Sequence, residues 1–72
     1  MIGETKVLLK ANCPVIQDGC EVVITELWNF PATSSQFVTI RDLHNVNVNH
    51  HGKPEPILST VRLTENTFEE GV

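Results

Sequence analysis

An all-β fold of five short antiparallel strands is what this 72-residue sequence predicts. Three observations carry that reading. Gly19–Leu27 (Gly-Cys-Glu-Val-Val-Ile-Thr-Glu-Leu) is dense in β-branched residues, whose side chains pack well on a pleated, half-buried surface. Val46-Asn47-Val48-Asn49 alternates apolar and polar residues without error, the pattern of a strand with one wet face. Turn-forming residues recur about every 8–12 positions, and no stretch carries the periodicity of a long helix.

Taken in order, Thr5–Lys10 reads as the first strand, with Val7 and Leu9 inward, Lys6 and Lys10 outward and Leu8 partly covered. Pro14 has no backbone N–H to give to a sheet, so Asn12–Asp18 is a loop, closed by the turn signal Asp18-Gly19. The second strand puts Cys20, Val22 and Ile24 on one face and Glu21, Val23 and Thr25 on the other. After Thr25 the parity fails, because Glu26 would point in and Leu27 out. One extra residue, a bulge near Thr25 or Glu26, repairs it.

Trp28-Asn29-Phe30-Pro31 carries the aromatic residues out of that strand, and Ala32–Ser35 is a polar turn. Gln36–Arg41 is the third strand, with Val38 and Ile40 inside and Phe37, Thr39 and Arg41 opposite. Asp42–Asn45 leads to a fourth strand, Val46–His50, and His50–Pro56 is a turn stiffened by Pro54 and Pro56. The last strand, Ile57–Leu63, turns Ile57, Val61 and Leu63 inward around Ser59. Thr64–Glu70 fits one helical turn, capped by Thr64 or Asn66, with Phe68 folding back as a plug.

This order, over Thr5–Phe68, resembles an SH3-like barrel. The resemblance is one of architecture, carried by strand spacing and by no family motif. A five-stranded OB-type barrel ranks second, because it usually carries a helix that this sequence lacks. The chain is expected to be a single small domain spanning residues 1–72.

Size and charge narrow the function. A chain this short buries only about 60–65% of the surface its unfolded form exposes, which leaves little interior for a deep catalytic pocket. Five Lys and Arg against nine Asp and Glu give a formal net charge of −4. That balance argues against phosphate-mediated binding of nucleic acid, which needs a basic face. No apolar run approaches the roughly 18–20 residues that span a bilayer, and Met1–Lys6 lacks the basic start of a secretory signal. A cytoplasmic location, no membrane association and reduced thiols are therefore expected. No glycine-rich phosphate loop is present, and no cofactor is expected.

Four groups of residues are candidates for a site. Cys13, Cys20, His44, His50 and His51 supply zinc-type donors. Structural zinc sites pair cysteines about two to four residues apart, a spacing that Cys13 and Cys20 do not have. The plain alternative is a strand cysteine, a loop cysteine and histidines on turns, so no metal is expected. A Cys–His nucleophile would need an imidazole in hydrogen-bond reach of a thiol, and nothing in the spacing brings the two together. Enzyme activity is accordingly not expected.

Trp28, Phe30 and Phe37 flank one turn and would meet at the end of a hairpin. They either close the core at that end or form an apolar patch with Trp28 as anchor and Arg41 nearby. The patch would not be a groove for proline-rich peptides, which is lined by tyrosine, since the chain has no tyrosine. Asn45, Asn47 and Asn49 point the same way along one strand. They form a solvated face or, on an edge, an uncharged strand open to pairing with a partner or a second copy.

The resulting expectation is a non-enzymatic protein-binding module, an accessory or regulatory protein like the small acidic proteins of bacteria and their phages. Its contact residues would be Trp28, Phe30, Phe37 and Arg41. The alternative is an assembly protein that forms a homo-oligomer or decorates a larger particle.

Overall fold

The β-branched run and the strand after it hold the centre of the molecule, with Val22 and Ile24 beside Val38 and Ile40, all four fully buried. The structure is a computed structural model that describes residues 1–9 and 13–68. Four antiparallel strands form one open sheet in sequence order: β1 (Thr5–Val7), β2 (Glu21–Phe30), β3 (Ser35–Val48) and β4 (Pro54–Arg62). There is no helix among the described residues, and hence none long and apolar enough to cross a membrane.

The all-β class holds, and the strand count changes. The segments expected as third and fourth strands are one 14-residue strand, β3, which pairs with β4 along both halves. The connection expected at Asp42–Asn45 is an irregularity within it. Between the pairs Arg41–Leu58 and Val46–Pro56, β3 carries four residues where β4 carries only Ile57. A local sequence signal for a break was present, but backbone pairing continues beyond it. The five-stranded barrel is thus replaced by a four-stranded meander among the described residues.

A sheet needs a second layer over its apolar face. Here three irregular segments supply it. Leu8, just past β1, is fully buried, as are Ile16 from the loop before β2 and Thr67 from the turn after β4. Leu8 forms an isolated bridge with Phe68, and the Leu9 N–H donates to the Thr67 carbonyl at 2.8 Å. Val61 and Phe68 complete the core, with Cys13, Cys20, Ile57 and Leu63 packed around it.

Two further expectations are corrected. The first strand is only three residues long, and it is Leu8 that is buried while Leu9 is exposed. The strand ends before the alternation from Val7 reaches Leu9, and Leu8 is turned onto the core by its bonds to Cys20 and Gly19. The segment from Thr64 is a turn instead of a helical turn. Its Thr67 hydroxyl donates to the Arg62 carbonyl at 2.7 Å and accepts the Thr64 N–H at 2.8 Å. That bonding ties the backbone locally, as Thr side chains do when they compete with a helix. Phe68 does fold back onto the core, as expected. Lys10, Asn12, Glu69 and Glu70 lie outside the described residues.

The Asp18-Gly19 turn forms as expected. Cys20 N–H reaches the Gln17 carbonyl, and Gly19 takes φ 94°, a left-handed value that side chains rarely adopt.

Candidate functional site: the outer face of the hairpin

The bulge falls where the parity failed. The register runs Ile24–Ile40 and then Glu26–Thr39, leaving Thr25 as the extra residue on β2. Its hydroxyl donates to the Thr39 carbonyl at 3.2 Å. Because successive residues alternate faces, one inserted residue exchanges the faces of everything after it. Leu27 therefore pairs with buried Val38, and Trp28 pairs with Phe37 on the outer face.

The aromatic residues thus lie on β2 and β3 themselves, and they do not close the core. Trp28 is 46% exposed and Phe30 48%. The strand expected to end at Trp28 continues to Phe30, whose carbonyl accepts the Thr33 N–H across a turn with Pro31 at its second position. Proline pre-sets the backbone there for that turn.

Rows of paired residues cross this face. Trp28, Phe37 and Arg62 form one row over β2, β3 and β4, and Glu26, Thr39 and Thr60 form the next. Phe30 meets Phe37 edge-to-face, with ring centroids 5.4 Å apart and planes at 86°. That is the arrangement aromatic quadrupoles favour. The Trp28 indole Nε1–H donates to the Thr39 hydroxyl at 3.0 Å, which stands 3.5 Å from the Thr60 hydroxyl. A shallow hollow of about 410 Å³ lies among Glu26, Trp28, Phe30, Phe37, Thr39 and Thr60. A second, almost wholly apolar hollow of about 520 Å³ adjoins it at the hairpin tip, around Phe30, Pro31 and Phe37.

Arg41 shares the face but stands two pairs along, between Val23 and Leu58. The guanidinium nearest Phe37 belongs to Arg62, whose Nη2 donates to Ser35 Oγ at 3.4 Å. Arg62 and Glu26 were missed because their neighbours come from strand register, which a linear reading of a bulged strand does not supply.

The zinc-type donors do not come together. No group of three or more His, Cys, Asp or Glu suited to a metal occurs among the described residues. His44 Nε2 lies 3.0 Å from Glu21 Oε1, and the His50 and His51 rings lie with centroids 4.1 Å apart and planes tilted by 43° on the β3–β4 loop. Cys13 and Cys20 are free thiols. Cys13 Sγ donates to Ser59 Oγ at 3.1 Å and accepts the Ile16 N–H at 3.4 Å. Burial pushes its pKa up, but the hydrogen bond it shares with Ser59 and those from the Ile16 and Val15 N–H groups prevail and hold it below the usual thiol value. No histidine takes part.

Asp42 is the one buried carboxylate among the described residues. It accepts from the N–H groups of His44 (3.0 Å) and Asn45 (3.1 Å) and from the Asn45 amide. These donors are freed where β3 departs from regular pairing. Burial pushes the Asp42 carboxyl up, and these bonds, with the charge of His44, outweigh it and hold the pKa below the ordinary value.

The chain matches no known protein-family model, no curated protein sequence and no solved structure. Any reading of what it does must rest on its own geometry.

Proposed function

We propose that this protein is a non-enzymatic protein-binding module whose contact face is the outer surface of the β2–β3 hairpin. Trp28, Phe30 and Phe37 are its anchors, Arg62 and Glu26 flank them, and Arg41 extends the face toward Leu58. The observation that carries the reading is the single-residue bulge at Thr25, which places two large aromatic side chains in solvent in a chain with little apolar surface to spare. Exposed, contiguous aromatic surface rimmed by polar groups is characteristic of protein interfaces, and Trp leads the residues that dominate them. The indole is already held by Thr39, so docking on it costs little side-chain entropy.

Two finer readings belong to this proposal. The meander is tied by the Leu8–Phe68 bridge between the segments after its first and last strands, which supports an SH3-like arrangement. A cytoplasmic accessory role in a bacterium or phage rests on small size and acidic composition alone.

The test is affinity capture from the native host on immobilised wild-type protein, Trp28→Ala and Phe30→Ala, with circular dichroism to verify each fold. A partner held by wild type and lost by both folded variants supports the proposal. Retention unchanged by either variant refutes it.

A further inference from the structure

Beyond the Asp42 irregularity, the outer halves of β3 and β4 leave the body of the sheet as a two-stranded arm. Its pairs are Val46–Pro56, Asn47–Glu55 and Val48–Pro54. The loop closing it is a three-residue one, with Gly52 N–H on the Asn49 carbonyl, Asn49 N–H on the Lys53 carbonyl and Gly52 at φ 79°. This fixes the phase of the ladder. Asn49 faces Lys53 with its N–H, so Asn47 bonds Glu55, and the intervening residues turn their backbone groups away from each other. Val46 and Val48 therefore aim N–H and C=O at the free edge of β3, while Pro54 and Pro56 aim ring nitrogens at the free edge of β4.

The two edges differ in kind. Within the arm, prolines leave the β4 edge without donors, the usual protection against strand addition. The β3 edge has no such device. Among the described residues, no strand pairs with β3 past Asp42 on the side away from β4. Val46 and Val48 are 60% and 68% exposed and share one face of the arm with Pro54 and Pro56.

We propose that this edge pairs with the same edge of a second copy, giving a twofold dimer centred on Asn47. About that axis Val46 lies opposite Val48 of the other copy, and their outward N–H and C=O groups satisfy one another in both directions. Asn47 meets its own counterpart, and a carboxamide, being both donor and acceptor, complements itself. The valines of both copies form a single apolar stripe flanked by prolines.

Charge selects a second copy as the occupant. Leu43–Gly52 carries no Asp, Glu, Lys or Arg in a chain of net charge −4. Two such chains can meet there without opposing charges. The nearest carboxylates, Glu55 in each copy, end up three strand spacings apart, about 14 Å, beyond the screening length at physiological salt. The prolines keep the outer side of each arm from adding a further strand, and the twofold pairing uses up both free β3 edges, so pairing closes at two copies.

Sedimentation equilibrium and concentration-dependent amide exchange on the full chain test this. Wild type is expected to dimerise, with Val46 and Val48 amides gaining protection as concentration rises. Val48→Pro removes an outward donor and no bond within the arm, and should weaken the dimer at least about tenfold. Asn47→Lys places like charges across the axis and should also dissociate it, deciding the matter if Val48→Pro fails to fold. Trp28→Ala should leave the dimer intact. The proposal is overturned by a wild type that stays monomeric up to about 1 mM. It is overturned equally by a dimer that survives Asn47→Lys, by a dimer lost in folded Trp28→Ala, or by Val46 and Val48 protection that appears only when a different protein is added.

Discussion

Trp28 and Thr39 are joined by a 3.0 Å hydrogen bond from indole to hydroxyl, two residue pairs out of step across β2 and β3. The bond ties the only tryptophan of the chain to the sheet while nearly half its surface stays in water. Emission of the free protein should therefore lie toward the red of a buried indole and respond to aqueous quenchers. Thr39→Val should alter the emission and cost about 1 kcal/mol or less, the net worth of one exposed hydrogen bond. Blue-shifted emission insensitive to quencher would remove Trp28 from the surface and with it the proposed contact face.

Deleting Thr25 is the sharpest test of how that face arises. Removing the extra residue lets Glu26 follow Ile24 directly, so Glu26 still meets Thr39, Leu27 still meets Val38, and Trp28 and Phe30 stay on the outer face of a regular ladder. The deletion should therefore cost only about 1 kcal/mol, the loss of the Thr25 bond to Thr39, and leave the fold intact. Thr25→Ala keeps the residue count and loses only the bond to Thr39, so about 1 kcal/mol is expected. Urea denaturation should give the two variants similar costs, and a deletion variant that unfolds, or whose Trp28 emission shifts to that of a buried indole, would mean Thr25 is not the extra residue that sets the parity.

The same bulge shows what a linear sequence can and cannot disclose. Its place was legible from the clash of Glu26 and Leu27 with the alternation begun at Val22. Its consequence for Trp28 and Phe30 was legible too, had the alternation been carried two residues further. Val38, Ile40, Val61 and Phe68 were recognisable as core from period and position, and all four are buried. Ile16 was not, because a buried residue in an irregular loop has no period. The unity of β3 was also hidden. Asp42, His44 and Asn45 look like a connection, and only pairing with β4 on both sides of them shows a single strand. The row of Trp28, Phe37 and Arg62 depends on register, which long-range pairing sets.

Ile40 lies at the middle of the sheet, fully buried and paired with Ile24 on one side and Ser59 on the other. Ile40→Ala should cost about 2–5 kcal/mol, removing transfer energy and leaving a cavity that a covered sheet cannot collapse. Val46→Ala, on the exposed arm, should change monomer stability by no more than about 0.5 kcal/mol. Thermal and urea unfolding of both variants gives the comparison. Equal costs would mean that the arm, and not the central sheet, carries the stability.

Cys13 should react with iodoacetamide as a thiol of lowered pKa, since the thiolate is the nucleophile. Ser59→Ala removes a hydrogen bond that favours the thiolate, so alkylation of Cys13 near neutral pH should slow, with its pH profile moved upward. Mass-spectrometric mapping separates modification of Cys13 from that of Cys20. An unchanged profile in Ser59→Ala would assign the lowered value to the backbone donors of Ile16 and Val15 alone.

Asp42 gives the stability its acid dependence. Its pKa is lower folded than the roughly 3.9 of an unfolded aspartate, so the unfolded chain binds the proton more readily. The stabilisation from this group is fully present above that unfolded value and is lost as pH falls through the folded one. Asp42→Asn takes away the charge that strengthens the bonds from His44 and Asn45, and should cost about 1–2 kcal/mol at neutral pH. The gap between variant and wild type should close in acid, where both side chains are neutral. Glu4 is also held low, by the N-terminal ammonium and then Lys6, but it is exposed, so Glu4→Gln serves as the control with a smaller effect. Urea midpoints measured from about pH 2 to pH 7 read both variants. A stability difference for Asp42→Asn that stays constant across that range would mean the Asp42 carboxylate is not what holds the irregular turn of β3 together.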